Sequence, residues 1–304
     1  MGSLGKTTGA FSEARFIGDV EKMCLAVGAP FSESTTRKVL ETYPSSFLRG
    51  AINWRTTNRR GDALNYRFYE RKNIDTITPA IEAGLLDPTH PLLPLLKAWG
   101  DLYDGTVEQS CDFCAKKGLV KCWLYFGPLK PTDDILGAPG IPSTITRHKN
   151  TLHSLGLDLM RHIAVDYYGG TVNLYFTKKH ALSPEGVRSF VALASPEQAA
   201  ALAEDEIAHM TRYLSPDASE LAVTVNVATG SIKRVAIYVF LAEQVQCIRG
   251  LGSRLTTFFA NAPCYDDESG DILSWSFGGE RYVKGERNYC GDTVSLMRDW
   301  SLPR

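Results

Sequence analysis

The sequence has no apolar run approaching the roughly 18 residues that a membrane-spanning helix requires. It also lacks an excess of either charge. Lys and Arg total 33 against 34 Asp and Glu, for a formal net charge of −1. That balance excludes a nucleic-acid binder built on a broad basic surface, so any cationic site has to be local. The opening stretch, MGSLGKTTGAFSEARF, has no hydrophobic core of an export signal. Its sixth residue is lysine, where a myristoylation signal needs Ser or Thr. GKTT resembles the end of a phosphate-binding loop, but the first glycine of that motif is missing. Cysteines are seven, an odd number, and scattered. Without an export signal they read as reduced thiols of a cytoplasmic protein. Cys111 and Cys114 form a lone C-x-x-C. In a strand, residues three apart face opposite sides and no second ligand pair follows, so no metal site is expected there. Glu206 and His209 have the ExxH spacing of some di-iron ligands without the required second copy, and read as an exposed helical pair.

What remains is the composition of a folded globular protein, with 44% hydrophobic and 22% charged residues. No linker is apparent, and residues 1–304 read as a single domain. Five tight turns punctuate the chain: NRRGD (58–62), KKG (116–118), GG (169–170), TG (229–230) and GGE (278–280). Each is flanked by alternating segments and reads as a β-hairpin. The turns recur every 50 to 60 residues, which is a structural repeat. Segments of helical spacing lie between them: ITPAIEAGLL, HPLLPLLKAWGDLY, EGVRSFVALA, PEQAAALAEDEIAHMTRYL and RGLGSRLTTFFA. Ten antiparallel strands would expose long edges unless they closed. The expected fold is therefore α+β: one closed ten-stranded antiparallel barrel, wrapped by helices, with a spacious lumen.

Helices outside would cover the apolar face of every strand, leaving the other face to line the lumen. VKCWLYFG shows the problem this creates. Val120, Cys122, Leu124 and Phe126 point one way, and Lys121, Trp123 and Tyr125 point the other. The same alternation puts Asn53 with Arg55, and Asn65 with Arg67 and Tyr69, on the inner face. It adds Thr171, Asn173 and Tyr175, then Arg234, Ala236 and Tyr238, and finally Tyr282, Lys284 and Glu286. Arg55, Arg67, Lys121, Arg234 and Lys284 would thus share one space lined by few acids. Buried cations without partners are costly, so an anionic ligand is the expected partner. Arg, Lys and polar side chains suit a diphosphate. The neighbouring aromatics suit an apolar or cationic group.

Several segments, in their order across the five hairpins, carry a family resemblance: TTNRRGDALNYRF, EAGLLDPTHP, KCWLYFG, VDYYGGTVNLYF, TGSIKRVAIY and SWSFGGERYVKGERNYCGD. The chain resembles the soluble aromatic prenyltransferases with αββα repeats typified by CloQ and NphB, and is more similar to the CloQ-like branch. The resemblance implies transfer of a dimethylallyl group from dimethylallyl diphosphate to a phenolic or fused aromatic acceptor by electrophilic aromatic substitution. It implies diphosphate ligands at Arg55, Arg67, Lys121, Asn173, Arg234 and Lys284, assisted by Thr171. Gly169 and Ala222 depart from family positions that are often basic and tyrosine, respectively. Trp123 and Tyr175 would shield the allylic cation, with Tyr125 and Tyr238 behind them. Glu286 would be the base or else a structural ion-pair partner, and Arg161 would orient the acceptor.

Some relatives hold Mg²⁺ with an aspartate where this chain has Asn65. A neutral amide is a poor ligand for a hard cation, and Arg67 stands two residues on, so no metal and no cofactor is expected. The acidic stretch Asp266 to Asp271 reads as a solvated turn, and Asp133–Asp134 as a helix start. The expected partners are small molecules only, with no nucleic acid and no membrane, and the expected state is a monomer. A geranyl-transferring enzyme of the same fold and a non-catalytic barrel holding an amphiphilic diphosphate are the alternatives.

Overall fold

A computed structural model describes residues 10–241 and 248–300. The GKTT stretch and Cys247 lie outside the described residues. Ten strands form the expected closed antiparallel barrel, each neighbouring the next in sequence, with the last pairing back to the first. They are β1 (Ala51–Thr57), β2 (Asn65–Tyr69), β3 (Glu108–Cys114), β4 (Gly118–Pro131) and β5 (Leu159–Asp166). Then follow β6 (Thr171–Lys179), β7 (Ala218–Asn226), β8 (Ile232–Leu241), β9 (Asp271–Phe277) and β10 (Tyr282–Cys290). Closure pairs every inner strand edge, which removes the aggregation hazard of an open sheet. Gly170 and Gly230 take φ of 59° and 66° in their hairpin turns, a conformation that a residue with a Cβ rarely adopts.

Helices wrap the outside. Among the described residues three precede β1: α1 (Glu13–Ala26), α2 (Glu33–Thr42) and α3 (Pro44–Arg49). α4 (Thr78–Glu82) and α5 (Leu93–Gly100) link β2 to β3. α6 (Thr132–Leu136), α7 (Ser143–Thr146) and α8 (Lys149–Ser154) link β4 to β5. Next come α9 (Pro184–Ala192), α10 (Pro196–Ala201), α11 (Glu204–Thr211), α12 (Gly252–Asn261) and α13 (Thr293–Trp300). The stretch of helical spacing over 196–214 forms two helices. Leu202 breaks it by turning into the core, and the Arg188 guanidinium caps the freed carbonyls of Ala199 and Leu202.

The main core lies between barrel and helices, not inside the barrel. Ile52, Trp54, Tyr66, Phe68 and Phe113 point outward and are buried under the first three helices. Phe16 of α1 packs edge-on against Tyr66 and Tyr289, 5.1 and 5.2 Å between ring centres. Each such fully buried side chain contributes about 1.5–3 kcal/mol. The irregular outer face of β10 has a physical reason. A Cβ on Gly285 would come within 2.6 Å of the Phe259 ring of α12, so only glycine lets that helix dock. Next to it, Arg287 forms a bidentate pair with Asp271 at 2.8 Å on both arms. At one end, α13 closes the barrel: Leu296 is buried with Ala51 and Ile272 against Tyr69, Tyr125, Tyr238 and Phe240.

Candidate active site

Strand register builds the charged part of the lumen. Reading across the sheet, Arg67 lies opposite Asp112, Asp112 opposite Lys121, Lys121 opposite Asp166, and Asp166 opposite Thr171. Charges alternate from strand to strand, the favourable arrangement for directly opposed side chains. Asp112 meets Arg55 and Arg67 at 2.7 Å each, and Asp166 meets Lys121 at 3.0 Å. Asp112, Asp166, Glu220 and Glu286 all face inward, which corrects the expectation of a lumen with few acids. Three of the four sit on first strands of their hairpins, where alternation is harder to read.

The cations still dominate one end. A smaller cavity and a larger one share Tyr175 and Tyr238. The larger is lined by Arg55, Asn65, Lys121, Asn173, Arg234 and Lys284. Arg234 reaches Thr224 Oγ1 at 3.5 Å and lies over the Tyr282 ring; among the described residues it meets no carboxylate. Asn173 accepts from Thr224 at 2.7 Å, leaving its buried Nδ2 without a partner among the described residues. Buried donors are normally satisfied, so this amide is free to donate to an acceptor, and the half-buried Arg234 guanidinium can donate beside it. Ala222 also lines this cavity. Thr171 stands at its rim beside Asp166, which accepts from the Gly169 amide at 2.8 Å.

Arg67 and Glu286 mark the boundary between the two cavities. Arg67 donates to Tyr69 at 2.6 Å, lies 3.4 Å from Glu286 and covers the Trp123 ring at 4.7 Å. Burial alone would push the Glu286 carboxyl up. Arg67, then Lys284 and Arg55, outweigh it and hold the group below its ordinary value, so it is ionised at neutral pH. Lys284 lies 3.3 Å from Glu286 and donates to the Tyr238 hydroxyl at 2.5 Å.

The smaller cavity is aromatic. Trp123 and Tyr175 pack with ring centres 4.8 Å apart, and Tyr175 lies 5.8 Å from Tyr238. Phe240 and Ile272 complete the wall. Tyr125 lies deeper, its ring tilted against His162 with centres 4.8 Å apart, near Leu296. Alternation left the direction of Arg161 open. A register break between Met160 and His162 places it at a bulge. It is buried and favours the ionised form of Glu220, so it serves the same end of the lumen. His162 and Glu220 were missed. His162 follows the bulge, which shifts the face count by one. Burial and the Arg161 and Arg67 charges push its pKa down to about 3, so it is neutral. Burial pushes the Glu220 carboxyl up to about 7, against a hydrogen bond from Thr177 at 2.7 Å.

Other motifs have structural roles. Asp266 accepts from the amides of Gly291 and Asp292, and Glu268 pairs with Arg298. The acidic stretch is a partly exposed turn, as expected, and it also contacts the last helix and the residue before it. Asp133 and Asp134 open α6 as expected. Cys111 faces Cys122 across the sheet at 3.7 Å. His209 is half-buried and accepts from the Arg249 amide, and Glu206 meets Arg281 instead. They do not form the exposed pair expected of them. Among the described residues no cluster of three or more His, Cys, Asp or Glu could hold a metal, and no helix is long and apolar enough to cross a membrane.

Known proteins share both the sequence and the architecture. The chain is 43% identical over 295 residues to an aromatic prenyltransferase of Sclerotinia sclerotiorum, covering 95% of this chain and 94% of the relative. It is 38% identical over 292 residues to a 4-hydroxyphenylpyruvate 3-dimethylallyltransferase of Streptomyces niveus, covering 96% and 89%. The solved structure of AnaPT from Neosartorya fischeri superposes with a TM-score of 0.58 over 93% of each chain at 13% identity, which speaks for the fold alone. The model of the family described as aromatic prenyltransferase Orf2 matches residues 11–301. The chain therefore belongs to this family of aromatic prenyltransferases.

Proposed function

We propose that this aromatic prenyltransferase moves a dimethylallyl group from dimethylallyl diphosphate to a ring carbon of a phenolic or fused aromatic acceptor. One observation carries the reading: a cation-lined cavity and an aromatic-lined cavity share Tyr175 and Tyr238. A ligand with a dianionic head and a short apolar tail fits that division. The five-carbon donor is favoured by the close Trp123–Tyr175 pair, which narrows the aromatic end, and by the named activity of the Streptomyces niveus relative.

In this mechanism the diphosphate sits among Arg55, Lys121, Arg234, Lys284 and the Asn173 amide, with Arg67 reaching it from the boundary of the two cavities. The allylic C–O bond breaks, and the diphosphate leaves with the electron pair, stabilised by these donors. Trp123 and Tyr175 face the allylic cation and exclude water. A ring carbon of the acceptor supplies the electrons of the new C–C bond. The ring proton then passes to Glu286, which is ionised and within reach of both cavities. Arg161 and Glu220 bracket the acceptor end, and the acceptor's polar groups fit between them.

The residues present do not fit Mg²⁺. Asn65 offers only a neutral amide. The carboxylates at this end of the lumen are taken: Asp112 by Arg55 and Arg67, Asp62 by Arg59 at 2.7 Å, and Asp166 by Lys121. The expected reaction is metal-independent, with guanidinium and ammonium groups supplying the charge.

The test is turnover of dimethylallyl and geranyl diphosphates with 4-hydroxyphenylpyruvate and a dihydroxynaphthalene, with and without EDTA, read by mass spectrometry. The expected result is a gain of one five-carbon group in both conditions, lost by a factor of about 10²–10⁴ in Glu286→Gln. Product only without EDTA would overturn the metal claim. Exclusive use of the ten-carbon donor would overturn the chain length. Binding of the diphosphate without product across the acceptor panel would favour a binding protein.

A further inference from the structure

Asp112 is the most enclosed carboxylate of the lumen, with 1% of its side chain exposed. It sits on β3 behind two guanidinium groups from the two preceding strands. Arg55 Nη1 approaches its Oδ2 at 2.7 Å, Arg67 Nε its Oδ1 at 2.7 Å, and Arg67 Nη2 its Oδ2 at 3.3 Å. Arg55 lines the cation-rich cavity and Arg67 the aromatic one. One buried carboxylate therefore fixes a donor of each compartment.

We propose that Asp112 is a positioning residue: it holds Arg55 and Arg67 as a pre-assembled pair aimed at the leaving diphosphate. This rests on the reading of a prenyl diphosphate as donor. The argument is electrostatic. Two guanidinium groups on adjacent strands repel, and burial magnifies the repulsion. Without an anion between them they would separate, and the substrate would have to reassemble them as it binds. With Asp112 in place, that reorganisation is complete beforehand, which is the condition under which fixed charges accelerate bond breaking. Asp112 also balances the row. Its opposite neighbour on β4 is Lys121, which has Asp166 as its own counter-ion. The carboxylate thus serves the two arginines without robbing the lysine. The rival role has the opposite sign. If Asp112 were a competitor that must be displaced by the diphosphate, removing it would tighten binding and raise turnover.

The test compares kcat for dimethylallyl diphosphate with the inhibition constant of inorganic pyrophosphate in the wild-type protein and Asp112→Asn. Positioning predicts a kcat reduced by about tenfold or more and pyrophosphate inhibition weakened with it, because pyrophosphate too has to reassemble the pair. Unchanged or raised kcat with tighter pyrophosphate binding would overturn it. Should Asp112→Asn fail to fold, Asp112→Glu decides. It keeps the charge but displaces it by one methylene, so kcat should fall severalfold and pyrophosphate inhibition should weaken with it, and wild-type kcat would overturn the role. A wild-type protein that neither turns over the donor nor responds to pyrophosphate would overturn the donor reading itself, and the role with it. An active wild type with an indifferent Asp112→Asn would overturn the positioning role alone.

Discussion

The two ends of the lumen solve opposite problems with the same ten strands. At the cation-rich end, charges are held in opposed pairs, and the carboxylates Asp112, Asp166 and Glu286 are all pulled below their ordinary pKa range against the effect of burial. At the aromatic end, Glu220 is pushed up to about 7 and His162 down to about 3. One end holds its charges in pairs, and past the Arg67–Glu286 pair the other suppresses the charge of Glu220 and His162 by burial. The lesson is that polarity follows partner density, since burial acts on both ends alike. Such a gradient suits a substrate that separates into an anion and a carbocation: each fragment meets the environment that stabilises it.

Arg234→Ala is the largest expected break in this contrast. Arg234 meets no carboxylate among the described residues, so its removal strands no buried charge. Transition-state stabilisation should fall by about 10²–10³-fold in kcat/KM, the usual loss for one preorganised donor, with an unchanged melting temperature. Lys121→Ala is the control. It deprives Asp166 of its cation and should lower the melting temperature as well as the rate. If Arg234→Ala turned over normally, the diphosphate would have to sit elsewhere.

At the aromatic end the expected loss is smaller. Trp123→Leu removes a cation–π wall worth about 0.5–2 kcal/mol, about a two- to thirtyfold loss of kcat. It should also raise the fraction of dimethylallyl alcohol formed by water capture of the cation, measured by chromatography of the reaction. An unaltered alcohol fraction would show that Trp123 only fills space. The Arg67 guanidinium lies over the same ring, so the KM for the donor should rise slightly too.

The contrast between the ends also explains which residues could be read from sequence. Lys121, Trp123, Asn173, Tyr175, Arg234, Tyr238, Lys284 and Glu286 lie on second strands of hairpins, where a short glycine turn fixes the register and strict alternation identifies the face. The barrel followed from the same turns, because consecutive hairpins with unpaired edges must close. Asp112 and Glu220 lie in hairpins whose register breaks, between Asp112 and Phe113 in one and between Thr224 and Val225 in the other, so a count across the turn slips by one. Arg161 and His162 straddle a bulge, and one extra residue inverts every later face assignment in that strand. Tyr125 falls just before another register break on β4, and it lies past the chamber beside Leu296. The outer role of Gly285 was invisible because it depends on Phe259, 26 residues earlier, arriving from a helix.

The smallest effect concerns stability, and it probes the aromatic end directly. Glu220 sits on β7 with the Thr177 hydroxyl of β6 donating to it, Arg161 of β5 within electrostatic reach and Tyr238 of β8 opposite. Its pKa rises from 4.5 to about 7 on folding. Below about pH 4.5 the group is protonated in both states and costs nothing. As the pH climbs toward about 7, the unfolded chain releases the proton while the folded protein retains it, so stability falls across that window and stays lower above it. Glu220→Gln removes this slope. The melting-temperature difference between variant and wild type should therefore grow in the variant's favour from pH 4.5 to pH 8 by about a few degrees. A difference that does not change with pH would mean that Arg161 keeps Glu220 ionised, and the aromatic end would then be a second ion-paired region and the gradient along the lumen would vanish.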